Sequence, residues 1–252
     1  MNRAYWDNLA QSFESTVFSV LKYDRAKYIT HTIKQYGDKN KIAADLGCGI
    51  GSFLPALAQH FGKVYAVDIS AKCLQRAKTH CNEYDNIIYR DIDLSAGKIK
   101  LPKFDFGLSV NALLSPKLEG RIRFIDASLK GLKKHGHFLL VVPSLESVLL
   151  ANQRLIEWNI KEGTTANQAQ RSLLISSEGH TTKKVCVGTV ELDGVETKHY
   201  LKEEIFIMLE RRGMDILSIK KLEYPWDTEF VDPPKWMSSP YPWDWFVLAK
   251  KR

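Results

Sequence analysis

The chain has 252 residues, 44% of them hydrophobic and 26% charged. That suits one globular domain, or one domain with a sizeable insertion. No apolar run approaches the ~20 residues needed to span a bilayer. The opening "MNRAYWDNLAQSFES" has acids and no unbroken apolar core, so it does not read as a secretory signal. Net charge is +7, but Lys and Arg are spread along the chain. The densest basic spots, "GLKKHG" and "KKR", are short, so a basic surface is expected rather than a nucleic-acid groove. Cys48, Cys73, Cys81 and Cys186 are scattered, without a CxxC pair or a zinc-spaced Cys/His set. No metal is expected, and a reducing cytoplasm is the expected location.

Residues 3 to 36 predict two helices, a cover over 1–37. Tyr5, Trp6, Leu9, Ala10, Phe13 and Val17 keep helical spacing, as do Leu21, Tyr28, Ile29, Ile33 and Tyr36. Strands and helices then alternate. "KIAADL" reads as a strand and 52–61 as a helix, with Pro55 in its first turn, where a missing N–H is harmless. "KVYAVD" is the next strand, and Ser70 is placed to cap a helix running to about Cys81. "NIIYRD" and "KFDFGLSVN" are strands. A helix follows Pro116, with Leu118, Ile122, Ile125, Leu129 and Leu132 on one stripe, and "HFLLVV" is the fifth strand. Near-continuously apolar strands separated by helices predict a parallel sheet covered on both faces.

The rhythm breaks after Pro143. Residues 145 to 160 suit a helix, 164 to 180 are polar and partly helical, and "KKVCVGTVELDGVETKHY" reads as a hairpin turning at Asp193–Gly194. A helix over 202–212, the strand "MDILSIKKLEY", a Pro- and Trp-rich loop over 225–242 and the strand "WDWFVLAKK" complete the chain. Residues 144–200 therefore read as an insertion on the substrate side of a single α/β domain, either a lid or a subunit interface.

The first strand runs into glycines at alternate positions, Gly47, Gly49 and Gly51, and the second ends at Asp68. In open α/β sheets such a strand-to-helix turn holds a ligand at the carboxyl end of the strand. Glycine lets backbone approach a ligand closely, and a helix start offers N–H groups to an anion. A Walker loop is excluded, because no "GK[ST]" follows. A dinucleotide fingerprint, G-x-G-x-x-G or G-x-G-x-x-A, needs Gly or Ala at 52, where Ser52 stands; the chain instead reads D-x-G-x-G-x-G with Asp45 leading.

"ADLGCGIGSF" followed by "VYAVDIS" resembles the glycine motif and second-strand acid of class I S-adenosylmethionine-dependent methyltransferases. "YRDIDL", "FDFGLSVNALL", "GHFLLVVPS", the late helix and strand, and "WFVLAKK" extend the resemblance over about 40–143 and 199–250. The chain is most similar to the small-molecule group that includes the ubiquinone- and menaquinone-biosynthesis enzymes. The resemblance implies a Rossmann-like, doubly wound, seven-stranded sheet of order 3-2-1-4-5-7-6, strand seven antiparallel.

It also implies site residues. Gly47, Cys48, Gly49 and Gly51 form the loop, with the helix start facing the cofactor carboxylate. Asp68 accepts the ribose hydroxyls, Ile69 packs on adenine, and Asp91 accepts from the adenine amino group beside the Ile92 N–H. Asp45 takes the cofactor ammonium indirectly or bonds glycine N–H groups, and Asn111 lies near the methionine part.

In-line methyl transfer needs mainly alignment and exclusion of water, so no obligatory catalytic residue is legible. His199 is the one candidate base. Tyr5, Trp6, Phe13, His199 and Trp226 are the acceptor-side candidates, with four of the six tryptophans within 226–245. The acceptor is expected to be a small molecule methylated at O, N or C. A nucleic-acid acceptor is not expected, since the position of a [D/N]-P-P-[Y/F] motif reads Asn111-Ala112-Leu113-Leu114. A non-catalytic S-adenosylmethionine-binding protein, a protein or RNA methyltransferase and an NAD oxidoreductase are the alternatives, and a filled space beside Asn111 would favour the first of these. The oligomeric state is not legible.

Overall fold

The computed structural model describes residues 2–97, 99–176, 182–192 and 194–252. The N-terminal segment is not two helices but four short ones: α1 (Arg3–Leu9), α2 (Phe13–Thr16), α3 (Val20–Tyr23) and α4 (Tyr28–Tyr36). Local capping breaks it. Asn2 accepts from the Tyr5 N–H and Ser19 from the Lys22 N–H, while the Asp24 carboxylate takes the N–H groups of Tyr28 and Ile29. Lys27 turns the chain into α4 with φ +53°. Helical spacing shows which side is apolar, but not where a side chain outcompetes the i−4 carbonyl.

The sheet strands and their helices follow in the expected alternation: β1 (Asp38–Leu46), α5 (Leu54–His60), β2 (Phe61–Asp68), α6 (Ala71–His80), β3 (Ile87–Asp91), β4 (Phe104–Val110), α7 (Leu118–Gly131) and β5 (Leu132–Pro143). Ser70 caps α6 through the Cys73 N–H, 3.0 Å away. Two differences stand out. Helix α5 starts two residues late, because the Leu54 N–H closes a turn onto the Gly51 carbonyl. On α7 the buried face carries Phe124, Ile125, Ser128 and Leu129, whereas Leu118 and Ile122 face solvent and Leu132 already belongs to β5.

The insertion begins with α8 (Leu145–Lys161), which Ser144 caps through the Ser147 N–H. Next come α9 (Ala166–Ser176) and α10 (Thr182–Cys186), so the start of the expected hairpin, "KKVC", is helical. The hairpin itself is β6 (Thr189–Leu192) with β7 (Val195–Lys198), in a small sheet of its own. Of its turn, Asp193 lies outside the described residues, and Gly194 has φ +77°. The chain ends with α11 (Lys202–Glu210), β8 (Met214–Glu223) and β9 (Trp243–Lys251).

The large sheet runs β3-β2-β1-β4-β5-β9-β8, with β9 antiparallel to both neighbours. Leaving the hairpin aside, that is the expected order with its seventh strand reversed. Apolar side chains cover both faces. Ile33, Leu57, Phe61, Phe106 and Leu139 pack on one, and Phe104, Leu129, Phe138, Leu140 and Ile205 on the other. Each such fully buried side chain is worth about 1.5–3 kcal/mol, so the sheet is a rigid base for the loops at its carboxyl edge. Reversal of β9 brings its first residues to that edge: Asp244 pairs in register with Pro143, the last residue of β5.

Candidate active site

Backbone bonds fix the glycine turn. Gly47, Gly49 and Gly51 have φ of +85°, +54° and +89°, a region that favours glycine. The Gly47 and Cys48 N–H groups both donate to the Val67 carbonyl, and that of Gly51 to Cys48. A Cβ on Gly47 would lie 2.3 Å from the Ala112 side chain, so the loops after β1 and β4 interlock there. Gly51 instead faces Leu54 and Ala77, its role being to let α6 approach.

Asp68 closes the turn from the next strand. Its Oδ2 accepts the Gly49 N–H at 2.8 Å and its Oδ1 the Ser70 N–H at 2.8 Å. Burial raises its pKa, against those backbone bonds, which lower it. No N–H of the three turn glycines reaches Asp45, contrary to one expected role, because the Val67 carbonyl, the Asp68 carboxylate and the Cys48 carbonyl already take them. Asp45 lies buried on β1, and burial together with the Asp68 charge pushes it up to about 8. Buried Cys48 is a packing residue; burial and nearby carboxylates raise its thiol pKa well above normal.

The turn opens into a cavity of about 1190 Å³, against the 300–1,000 Å³ usual for one small ligand. Of the residues singled out in the sequence, Tyr5, Trp6, Phe13, Asp45, Gly47, Cys48, Gly49, Asp68, Ile69, Ile92, Asn111 and His199 line it. Three do not. Gly51 turns to α6. Asp91, paired in register with Asp68, is exposed and held by Arg3 at 2.6 Å. Trp226 is buried away from the cavity, where it stacks on Phe230 with ring centres 5.6 Å apart and donates its indole N–H to the Ser238 carbonyl.

The far wall adds two groups that the sequence did not single out, Asp244 and Tyr224. Asn111, in the left-handed region with φ +46°, donates from Nδ2 to Asp244 Oδ2 at 2.9 Å. The Tyr224 hydroxyl donates to the same oxygen at 3.0 Å. Burial pushes Asp244 up to about 6, with both bonds opposing. Asn111 Oδ1 is buried without a partner among the described residues. The only sequence signal was an acid opening the last strand, 133 residues beyond Asn111. His199 sits on the same cavity, its Nδ1 at 3.4 Å from the Thr197 carbonyl. Burial pushes it down to about 4, which leaves the ring neutral at pH 7 and weakly basic.

These features fit S-adenosylmethionine. Gly47 and Gly49 line the cavity with bare backbone, Asp68 keeps acceptor capacity for a diol, and the orphaned Asn111 Oδ1 calls for a donor.

Comparison with known proteins agrees. Residues 43–141 match a family described as a methyltransferase domain. An S-adenosylmethionine-dependent methyltransferase from Methanosarcina mazei has the same fold, at 17% identity over 87% of this chain and 96% of its own, TM-score 0.60. So does the N-methyltransferase NodS from Bradyrhizobium japonicum bound to S-adenosylhomocysteine, at 12% identity over 97% and 99%, TM-score 0.59. Magnesium protoporphyrin IX methyltransferase from Synechocystis, bound to the same product, matches at 15% identity over 99% and 97%, TM-score 0.60. No curated protein matches the sequence. Residues 43–141 thus match a methyltransferase domain, and the whole chain has the fold of S-adenosylmethionine-dependent methyltransferases. Among the described residues no helix is long and apolar enough to cross a membrane.

Proposed function

We propose that the chain methylates a small-molecule acceptor held in the cavity beside the glycine turn. One observation carries this reading: the cavity continues past the turn to Asn111, Trp243 and Asp244, with more room than one ligand needs. A non-catalytic cofactor binder has no use for such a space.

In this reading Asp68 holds the ribose hydroxyls, Ile69 and Ile92 flank the adenine, and Asn111 meets the methionine part. Tyr5, Trp6 and Phe13 close the cover 1–37 over the cofactor, and 144–200 closes the acceptor end through Thr197 and His199, which makes the insertion a lid. The donor is a sulfonium that brings an activated methyl group. The chain then supplies alignment and a dry cavity. A neutral, weakly basic His199 suits lining better than proton removal. The relatives named for N-methylation and for a protoporphyrin add support for a small acceptor.

The test is calorimetric titration with S-adenosylhomocysteine and with NAD, repeated on Asp68→Ala. Only the first ligand should bind, and the variant should bind it at least about tenfold more weakly, since hydrogen bonds to a charged group are lost. Labelled methyl groups should then enter a metabolite extract rather than RNA or protein. Label in the macromolecules alone would sink the small-acceptor reading.

A further inference from the structure

We infer that the acceptor's reacting group is an amine, and that Asp244 is a catalytic residue that binds its N–H and takes its proton. This rests on the methyltransferase reading above and narrows it to one acceptor chemistry.

Geometry carries the inference. Both protein hydrogen bonds to Asp244 end on Oδ2, from Asn111 and from Tyr224. Among the described residues no donor reaches Oδ1, although the residue is only 8% exposed and lines the cavity. Oδ2 is taken and Oδ1 is left open on the cavity wall, free to accept from a donor that a ligand supplies. The same bonds orient it. Asn111 stands on the loop interlocked with Gly47, so Asp244 is tied through one amide to the cofactor side of the cavity.

Charge points the same way. The chain as a whole is +7, yet carboxylates outnumber the basic side chains lining the cavity, Lys22 and Arg121. Arg121 spends its guanidinium on the Ser115 and Pro116 carbonyls, and the Lys22 ammonium lies 4.9 Å from the Tyr23 ring centre. Glu229 lines the same end as Asp244. With acids in excess on the lining, a carboxylate or phosphate acceptor would meet net repulsion, whereas an ammonium is attracted. Phe13, Tyr224 and Trp243 supply ring surface for the rest of such a ligand.

The step balances. The bound ammonium gives one proton to the Asp244 carboxylate and becomes a neutral amine. Its lone pair forms the new N–C bond to the methyl group as the C–S bond breaks, and that electron pair stays on sulfur as the thioether of S-adenosylhomocysteine. The product leaves as the methylated ammonium, and Asp244 returns its proton to water.

The test uses benzylamine, benzyl alcohol and benzoate, which differ only in the polar group, added to protein saturated with S-adenosylhomocysteine and followed by ligand-observed NMR. Benzylamine alone should bind. Asp244→Asn, which keeps size and hydrogen-bonding shape, should weaken benzylamine by about tenfold to a hundredfold while calorimetry finds product binding within about threefold of wild type. Tyr224→Phe keeps the carboxylate and should retain benzylamine binding, a control that the wall still folds. Equal or better binding of the alcohol or the acid overturns the inference, as does unchanged benzylamine binding in Asp244→Asn or no fragment binding at all. If the wild type fails to bind S-adenosylhomocysteine, the methyltransferase site itself is refuted and this inference falls with it.

Discussion

Arg3 and Asp91 meet at 2.6 Å across 88 residues of sequence, guanidinium against the carboxylate at the end of β3. Both side chains are 44% exposed, so the pair itself contributes at most about 1 kcal/mol. Its importance is positional, since it is one of several polar ties holding the N-terminal cover. The Ser70 hydroxyl donates to Asp7 at 2.6 Å, and Arg76 reaches the Ala10 carbonyl and the Glu14 carboxylate. The double variant Arg3→Ala/Arg76→Ala should raise amide exchange in residues 3–16 at least severalfold, with a stability loss of only about 1–2 kcal/mol. Hydrogen-exchange mass spectrometry checks this; unchanged protection would mean that apolar packing alone holds the cover.

Gly47 and Gly49 should respond differently to alanine. At Gly47 the new Cβ would stand 2.3 Å from the Ala112 Cβ, so a backbone must move, at a cost of roughly 1–3 kcal/mol, and product binding should be lost. At Gly49 the obstacle is the tip of the Phe13 ring at 2.8 Å, which can swing away. Phe13→Ala should therefore restore product binding to Gly49→Ala but not to Gly47→Ala, as measured by calorimetry.

Stability should fall with rising pH near neutrality. Asp45 is pushed up to about 8 from an unfolded value of about 3.9. Between those values the folded chain holds a proton that the unfolded chain has lost, so each pH unit upward costs at most about 1.4 kcal/mol for that group. His199 works in the opposite sense: burial pushes it down to about 4, and its contribution is lost only as pH falls below about 6.5. Thermal denaturation between pH 6.5 and 8 should show a falling midpoint, and Asp45→Asn should flatten it.

Trp226 separates packing from acceptor contact. It is 2% exposed, stacked on Phe230 and not part of the cavity lining. Trp226→Ala should cost about 3–5 kcal/mol and leave S-adenosylhomocysteine affinity within about twofold for the folded fraction. Denaturant melts with and without ligand provide the two numbers.

The parts of the fold legible in the sequence are those with local causes. Apolar strands, the glycine turn and the Ser70 cap each follow from a few neighbouring residues, and their alternation gives a covered parallel sheet, while the strand order rests on the resemblance to class I methyltransferases. The broken N-terminal helices were less legible because Asp24 acts four and five residues ahead, which spacing alone does not reveal. Helix α10 was hidden in a β-looking run. In the cavity, the loop and Asp68 could be placed by motif, but Asp244 and Tyr224 could not. Their role depends on two late strands folding back beside β5, and no local pattern in "WDWF" distinguishes a cavity acid from a surface one.

Reversal of β9 also has a consequence in time. A strand that enters the sheet backwards delivers its earliest residues to the edge where its neighbours deliver their last. During synthesis, the glycine turn and Asp68 emerge long before Asp244, which must then slot between β5 and the already made β8. A nascent chain can thus shape a nucleoside cradle well ahead of its acceptor wall. Completion of that wall waits on the most distant pairing in the sheet, that of β5 with β9, the kind of long-range contact whose loop closure costs most.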